Sequence, residues 1–424
     1  GGEGIDIGHL NANNEQHISF DLTKASVEVL YSDTSGDLLT AFNHTQAVTI
    51  YANDGADYVE GSDHDDQLFG EAGHDTLKGG AGADKLDGGA GNDTLYFDQQ
   101  DTQVQGGEGY DVGFMQSQAN TVASIDLQKT SLERLIAGDA NDLITAHDKN
   151  QAVIVSGGNG QDYLEGTKHD DVLNGDAGHD TLKGGAGADI LNGGDGHDEL
   201  HFDRWDKVEG GDGFDTGFLI NDDIGATMVD MQSSELERLF GSARGEVISA
   251  YAKQEAVYIY AQGGTDYVDG GKGDDWMYGG NGNDTLAGKQ GNDHMYGGQG
   301  RDFVSGNQGD DHLYGNAGDD WLYGGTGNDT YHWNWGDGND VIHDFDQEDA
   351  SNNLHLDVLQ FGDDIDLSHL SFERHGGDLQ IHLQNQQLEQ QTLTIDSWYE
   401  SEAHQLHQML LADGTEIDTY RVLG

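Results

Sequence analysis

The sequence predicts an all-β chain: a right-handed parallel β-roll or β-helix solenoid with a small α+β or β capping domain at its C-terminal end. Three observations predict it. A nine-residue repeat runs through much of the 424 residues, and a longer repeat lies over it, its copies opening at residues 1, 106 and 210. The composition sets 66 Gly and 80 Asp and Glu against 18 Lys and Arg, a formal charge of −62. Fixed periods of this kind mark solenoids. The acid excess argues against a nucleic-acid partner, because affinity for phosphate comes from basic side chains. With no Cys, disulfides and Cys-ligated zinc or iron–sulfur centres are excluded. No run of eighteen apolar residues occurs, so no membrane span is expected. The chain opens on Gly rather than Met, and we expect it to be a piece of something longer.

The organisation follows in order. Residues 1–105, 106–209 and 210–332 form three tandem modules, opened by GGEGIDIGHL, GGEGYDVGFM and GGDGFDTGFL. Each holds an array of nonapeptides, at 52–96, 157–201 and 261–332. The third array reads AQGGTDYVD, GGKGDDWMY, GGNGNDTLA, GKQGNDHMY, GGQGRDFVS, GNQGDDHLY, GNAGDDWLY and GGTGNDTYH. The sixth place is always Asp: Asp57, Asp66, Asp75, Asp84 and Asp93; Asp162, Asp171, Asp180, Asp189 and Asp198; Asp266, Asp275, Asp284, Asp293, Asp302, Asp311, Asp320 and Asp329. Isolated copies add Asp6, Asp111, Asp215 and Asp340. The eighth place of the third array is always large and apolar, from Val268 to Tyr331.

A Gly-rich hexapeptide can adopt φ > 0 and turn tightly with its carbonyls exposed. The remaining polar–apolar–polar triplet reads as a short strand with one inward side chain. Two units then make one coil, and unit n stacks on unit n+2. The sixth-place carboxylates line up in ladders about 4.8 Å apart. Like charges at that spacing repel. A hard cation taking carboxylate and carbonyl oxygens removes the repulsion, and calcium tolerates such irregular oxygen shells better than magnesium.

The pattern GGxGxDxUx, U being a large apolar residue, resembles the repeat of the RTX (repeats-in-toxin) secreted calcium-binding proteins. The resemblance implies a parallel β-roll with calcium ions in its turns, the sixth-place Asp as side-chain ligand and turn glycines as carbonyl donors. It also implies export by a type I secretion apparatus through a C-terminal signal, hence a secreted or bacterial cell-surface location. Several turns depart from the pattern: GSDHDD (61–66) and GTKHDD (166–171) lack the fourth Gly, AQGGTD and ANDGAD lack the first two, and GKQGND, GNQGDD and GNAGDD replace the second. Thr and Lys enter the left-handed region poorly, so weak or missing calcium is expected beside Thr167 and Lys168.

Between the arrays lie SVEVLYSDTSGDLLTAFNHTQAVTIYA, SLERLIAGDANDLITAHDKNQAVIVSG and ELERLFGSARGEVISAYAKQEAVYIYA. Their apolar triplets read as further strands of the same solenoid with irregular turns. Residues 333–424 lose the period. DVLQF, DLQIHL and QTLTIDSWY read as strands and EAHQLHQMLL (402–411) has helical spacing. This stretch resembles the domain that commonly follows RTX repeats, in GNDTYHWNWGDGNDVIHDFD and IDSWYESEAHQLHQMLLADGTEI, and would cover the open end of the roll.

No HExxH, GxSxG or P-loop occurs, and the carboxylates are periodic rather than paired, so no catalysis is expected in this chain. His74, His179 and His197 read as solvated turn residues. The third array carries an outward aromatic stripe, Trp276, Tyr278, Tyr296 and Tyr314, whereas the first two carry mostly Thr, Lys, Glu and Asp at such places. The expectation is a calcium-binding structural module that folds on export. Alternatives are an adhesive or carbohydrate-binding module using the stripe, with glycans or other copies of the chain as partners, and the C-terminal appendage of a secreted RTX enzyme.

Overall fold

A computed structural model describes residues 4–11, 17–101, 103–117, 119, 121–220, 226–344, 356–384, 390–400 and 405–418. The chain separates into two compact units, Gly1–Asp215 and Thr216–Gly424, parted at the end of the GGDGFD copy. Both are almost wholly β.

In the first unit the chain alternates between parallel sheets. One holds Ile7–His9, Val29–Tyr31, Thr49–Tyr51, Gln67–Gly73, Lys85–Ala90 and Gln103–Glu108 in that order. The other is an eleven-stranded sheet running from Ser19–Asp21 to Lys207–Gly213. From Val122–Asp126 onward a further parallel sheet, through Asn141–Thr145, Tyr163–Glu165 and Thr181–Lys183 to Glu199–Phe202, alternates with that long sheet. The register is set by the eighth place. Leu68 pairs with Leu86 and Leu86 with Val104, while Leu77 pairs with Leu95. Val59, Leu68, Leu77, Leu86 and Leu95 are fully buried. Each such side chain contributes roughly 1.5–3 kcal/mol of burial free energy. The spacers are coils of the same solenoid, since Val29–Tyr31 pairs in parallel with both Ile7–His9 and Thr49–Tyr51.

The second unit repeats the plan. Trp276–Gly282, His294–Gln299, His312–Ala317 and Thr330–Trp333 stack in one sheet. Thr285–Gln290, Phe303–Gln308 and Trp321–Thr326 stack in the other. The tail adds to both. Val358–Phe361 and then Gln408–Leu410 extend the first in parallel, and Val341–Ile342 and Gln390–Ile395 extend the second. Asp378–Gln384 and Leu370–His375 then reverse the chain and pair antiparallel.

One sequence expectation fails here. The stretch 402–411 is not helical where it is described; residues 402–404 lie outside the described residues, and Gln408–Leu410 is a strand. The free edge of Val358–Phe361 captures it, and Leu406, Met409 and Leu411 are buried. Tertiary pairing overrides a weak local preference.

The turns depend on glycine most at the fourth place. Gly91 has φ +135°, and a Cβ built on it would press into the carbonyl oxygen of Gly73, its counterpart one coil earlier.

Candidate metal centres

The sixth-place carboxylates form rows in which each rung is tied to the next. The Asp57 N–H donates to Asp75 Oδ1, Asp75 to Asp93 and Asp93 to Asp111, each at 2.8 Å. The same bond joins Asp66 to Asp84, Asp162 to Asp180, Asp180 to Asp198, Asp198 to Asp215 and Asp171 to Asp189. In the second unit it links Asp266, Asp284, Asp302, Asp320 and Asp340 in one row, and Asp275, Asp293, Asp311 and Asp329 in the other. These carboxylates are buried. Asp6 differs: it is half-buried, and its N–H donates to Glu28 Oε2 at 2.8 Å.

Oδ1 is thus satisfied by backbone, and Oδ2 divides the turns into two classes. Within the three arrays, where the second residue of the unit has positive φ, Oδ2 is buried with no hydrogen-bond partner. Asn53 (+65°), Glu71 (+74°), Lys289 (+80°) and Asn307 (+78°) accompany Asp57, Asp75, Asp293 and Asp311 in this way, and glycines do so at Asp84, Asp93, Asp189 and Asp284. Non-glycine residues therefore enter the left-handed region here more readily than the sequence alone predicts; Lys289 does so with its ammonium 2.8 Å from Asp269. In three turns the second residue is not left-handed, and its N–H donates to Oδ2: Ser62 to Asp66 at 2.5 Å, and Thr167 to Asp171 and Gly271 to Asp275, both at 2.6 Å. The Thr167 hydroxyl adds a bond to Asp171 Oδ2 at 3.0 Å.

The open turns meet the needs of a hard cation. A Cβ built on Gly279, the first residue of its unit, would lie 2.6 Å from Asp284 Oδ2 and 2.6 Å from the carbonyl oxygen of Gly297 in the next coil. A side-chain-free first place therefore leaves a space faced by one carboxylate and one carbonyl oxygen. Among the described residues no group of three or more His, Cys, Asp or Glu side chains converges. The donor set is carboxylate plus backbone carbonyl, which suits calcium and excludes a softer metal's imidazole or thiolate shell. Burial pushes the carboxyl groups upward, Asp57 to about 7, Asp293 to about 8 and Asp329 to about 9, with neighbouring carboxylates adding to the shift. An isolated buried anion is costly, so each open turn is completed by a proton or a cation.

The rows extend beyond the nonapeptides. Asp37, Asp142 and Glu246 donate their N–H to Asp57, Asp162 and Asp266 at 2.5–2.7 Å. Asp101, Asp206 and Asp357 accept from Asp84, Asp189 and Asp329 at 2.7–2.8 Å, and Glu133 accepts from Asp111 at 2.9 Å. The nine-residue rule misses these, but the longer repeat aligns Asp37 with Asp142 and Glu246, and Asp101 with Asp206. Asp101 and Asp206 are closed ends, because their Oδ2 atoms accept from Asp98 and Asp203 at 2.7 Å.

A second ladder, unforeseen from the sequence, uses the fifth place in the opposite sense. There the side chain of the earlier coil accepts from the N–H of the later one: His74 from Asn92, His179 from His197, Asn283 from Arg301 and Asp310 from Asn328, at 2.7–2.8 Å. His74 and His179 are thereby occupied as backbone acceptors through Nδ1. The aromatic stripe is consumed by itself. Tyr278, Tyr296 and Tyr314 stack with ring centroids 4.5 and 4.4 Å apart, and Trp276 leans on His294 at 4.2 Å. The stripe is not confined to the third array, since His9, Tyr31, Tyr51 and Phe69 stack in the same manner. The spacer strands bring those rings into register, which the array sequences alone do not reveal.

Among curated proteins none matches the chain. The family described as RTX calcium-binding nonapeptide repeat (4 copies) matches residues 49–77, 70–104, 154–182, 165–200, 260–295 and 296–331. Those segments are the three arrays whose turns hold the rows of buried Asp. The three arrays are RTX calcium-binding nonapeptide repeats, wound into a parallel β-solenoid.

Proposed function

We propose that the chain is a non-catalytic, calcium-binding structural module of a secreted or surface protein, and that calcium entry into the open turns drives its folding. The observation that carries this is the buried, unpartnered Oδ2 of residues such as Asp75, Asp93, Asp284 and Asp302, set in turns with carbonyl oxygens nearby. Those turns would hold calcium through the carboxylate and backbone carbonyls, and bound calcium would supply the positive charge that a row of acids lacks. At −62 the metal-free chain resists compaction. In a calcium-poor cytoplasm it stays extended and fit for export by a type I apparatus. Outside, each ion adds folding free energy by mass action. Extracellular calcium modules work at a Kd of about 10⁻⁴–10⁻³ M. RTX repeat proteins are typically secreted, and no described helix is long and apolar enough to cross a membrane.

The test is circular dichroism of the whole chain in chelator and in millimolar calcium, with bound calcium counted after dialysis. A coil-like spectrum in chelator that becomes β with calcium is expected. A β spectrum that survives exhaustive chelation, with no calcium bound on replenishment, sinks the reading.

A further inference from the structure

We propose that Lys149 and Lys253 are tethered stand-ins for calcium, placed where a row of acids is interrupted; this rests on the calcium reading of the open turns. Along the long sheet of the first unit, the residue before each strand is acidic at Asp111 and Glu133, apolar at Val153, and acidic again at Asp171. In the second unit the order Glu237, Val257, Asp275 repeats it before Arg238–Phe240, Tyr258–Tyr260 and Trp276–Gly282. The valine coil contributes no carboxylate. It contributes an ammonium.

Lys149 comes from a turn closed by its own N–H to the Ala146 carbonyl at 2.8 Å, and Lys253 from the same turn onto Ala250 at 2.8 Å. Their side chains are 8% and 5% exposed. Lys149 Nζ lies 3.5 Å from Glu133 Oε1, whose other oxygen accepts the Asp111 N–H. Lys253 Nζ lies 2.6 Å from Glu237 Oε1 and donates to the Leu236 carbonyl at 2.5 Å. Lys253 thus has one carboxylate and one backbone carbonyl around its ammonium, the donor set of the open turns, and Lys149 has the carboxylate. Lysine is rarely buried unless paired, so this burial marks a committed charge.

The next rung completes the link. Asp171 and Asp275 are the first acids after the interruption, and both take the second-place N–H on Oδ2. No open oxygen remains between the acid row that ends at Glu133 and the closed rung at Asp171 where it resumes, so the link needs no ion. The first module keeps the valine (Val48) and the closed rung (Asp66), but His44 stands at the matching place, its Nδ1 2.9 Å from the Gln46 carbonyl. That link holds no lysine at the matching place.

The test uses the whole calcium-loaded chain, with Lys253→Met to remove the charge and keep the stem, Lys253→Arg to restore it, and amide hydrogen exchange by residue. Charged hydrogen bonds of this kind set an expected acceleration on the order of tenfold or more at Arg238–Phe240 and Tyr258–Tyr260 in Lys253→Met, recovered in Lys253→Arg. Exchange at His312–Ala317 stays as in the parent, and bound calcium does not fall. Unchanged exchange in Lys253→Met overturns the proposal. So does loss of one calcium, because an ion would then share the lysine turn. If Lys253→Met does not fold, Lys149→Met is read at Arg134–Ile136 and Ile154–Gly160 by the same criteria. A parent chain that binds no calcium at all overturns the preceding reading instead, whatever the lysine variants do.

Discussion

Replacing Asp293 by Asn separates the cation role of a rung from its hydrogen-bonding role. Asp293 is fully buried, its Oδ1 accepts the Asp275 N–H at 2.8 Å, and its own N–H donates to Asp311. Its Oδ2 has no partner. Asn keeps the size and the Oδ1 acceptor, and it puts a neutral NH₂ where the open oxygen stood, on the side where a Cβ on Gly288 would meet the Gly306 carbonyl at 2.8 Å. The local fold has little reason to change, but one calcium loses its only carboxylate from that turn. By mass action the free energy of unfolding should then rise with calcium by about 1.4 kcal/mol less per tenfold concentration than in the parent. With a Kd of about 10⁻⁴–10⁻³ M, the deficit in 10 mM calcium is about 1.4–2.7 kcal/mol. Urea denaturation followed by circular dichroism at a series of free calcium concentrations reads the two slopes. Parallel lines, displaced or not, would refute the reasoning, since a lost hydrogen bond costs the same at every calcium concentration and a lost ion does not.

The pH dependence has a definite sign. In the metal-free fold Asp57, Asp84 and Asp180 are pushed to about 7 and Asp293 to about 8, against an ordinary value of 3.8. The folded state then binds protons more tightly than the unfolded one, so this contribution is complete below about pH 4 and is lost as pH rises through the raised values. A chelated chain should gain β signal on acidification from pH 8 to pH 4.5; a signal that grows with pH contradicts the burial argument. Gly91→Ala should lower the thermal midpoint in saturating calcium more than Gly376→Ala, where φ is +68° but no atom lies within 4 Å of the added Cβ. The left-handed backbone alone costs of order 1–3 kcal/mol, and only Gly91 adds the clash with the Gly73 carbonyl; equal shifts in the two variants would remove close approach as the reason for glycine.

The coil, its inward apolar residue and the rows of Asp were all legible, because each is a property of position within nine residues and the position recurs. Less visible was whatever depends on the neighbouring coil. Ser62, Thr167 and Gly271 close their turns although one of them is glycine, so residue type at the second place does not decide the class of turn. All three stand one coil after a valine rung, at Val48, Val153 and Val257, whose N–H groups feed Asp66, Asp171 and Asp275. The fifth-place ladder was missed for a related reason: Asn, Asp and His there look like ordinary turn residues until the next coil's N–H is placed above them. The tail misled because Leu406, Met409 and Leu411 have a spacing that serves a helix as well as a strand, and only the edge of Val358–Phe361 chooses between them.

Within the arrays the rungs join residues 18 apart, yet the rows also accommodate 17 residues between Asp84 and Asp101, 20 between Asp37 and Asp57 and 28 between Asp329 and Asp357. What each coil must preserve is the side on which it arrives, not the length of its excursion. Such a molecule can grow or shrink during its history by whole laps without redesign, since removing one lap brings equivalent donors and acceptors face to face. Half a lap is accommodated as well, because both sides carry the same rows: Ile7–His9 lies in one sheet and its counterpart one long repeat later, Val112–Gln116, in the eleven-stranded sheet with which the first alternates.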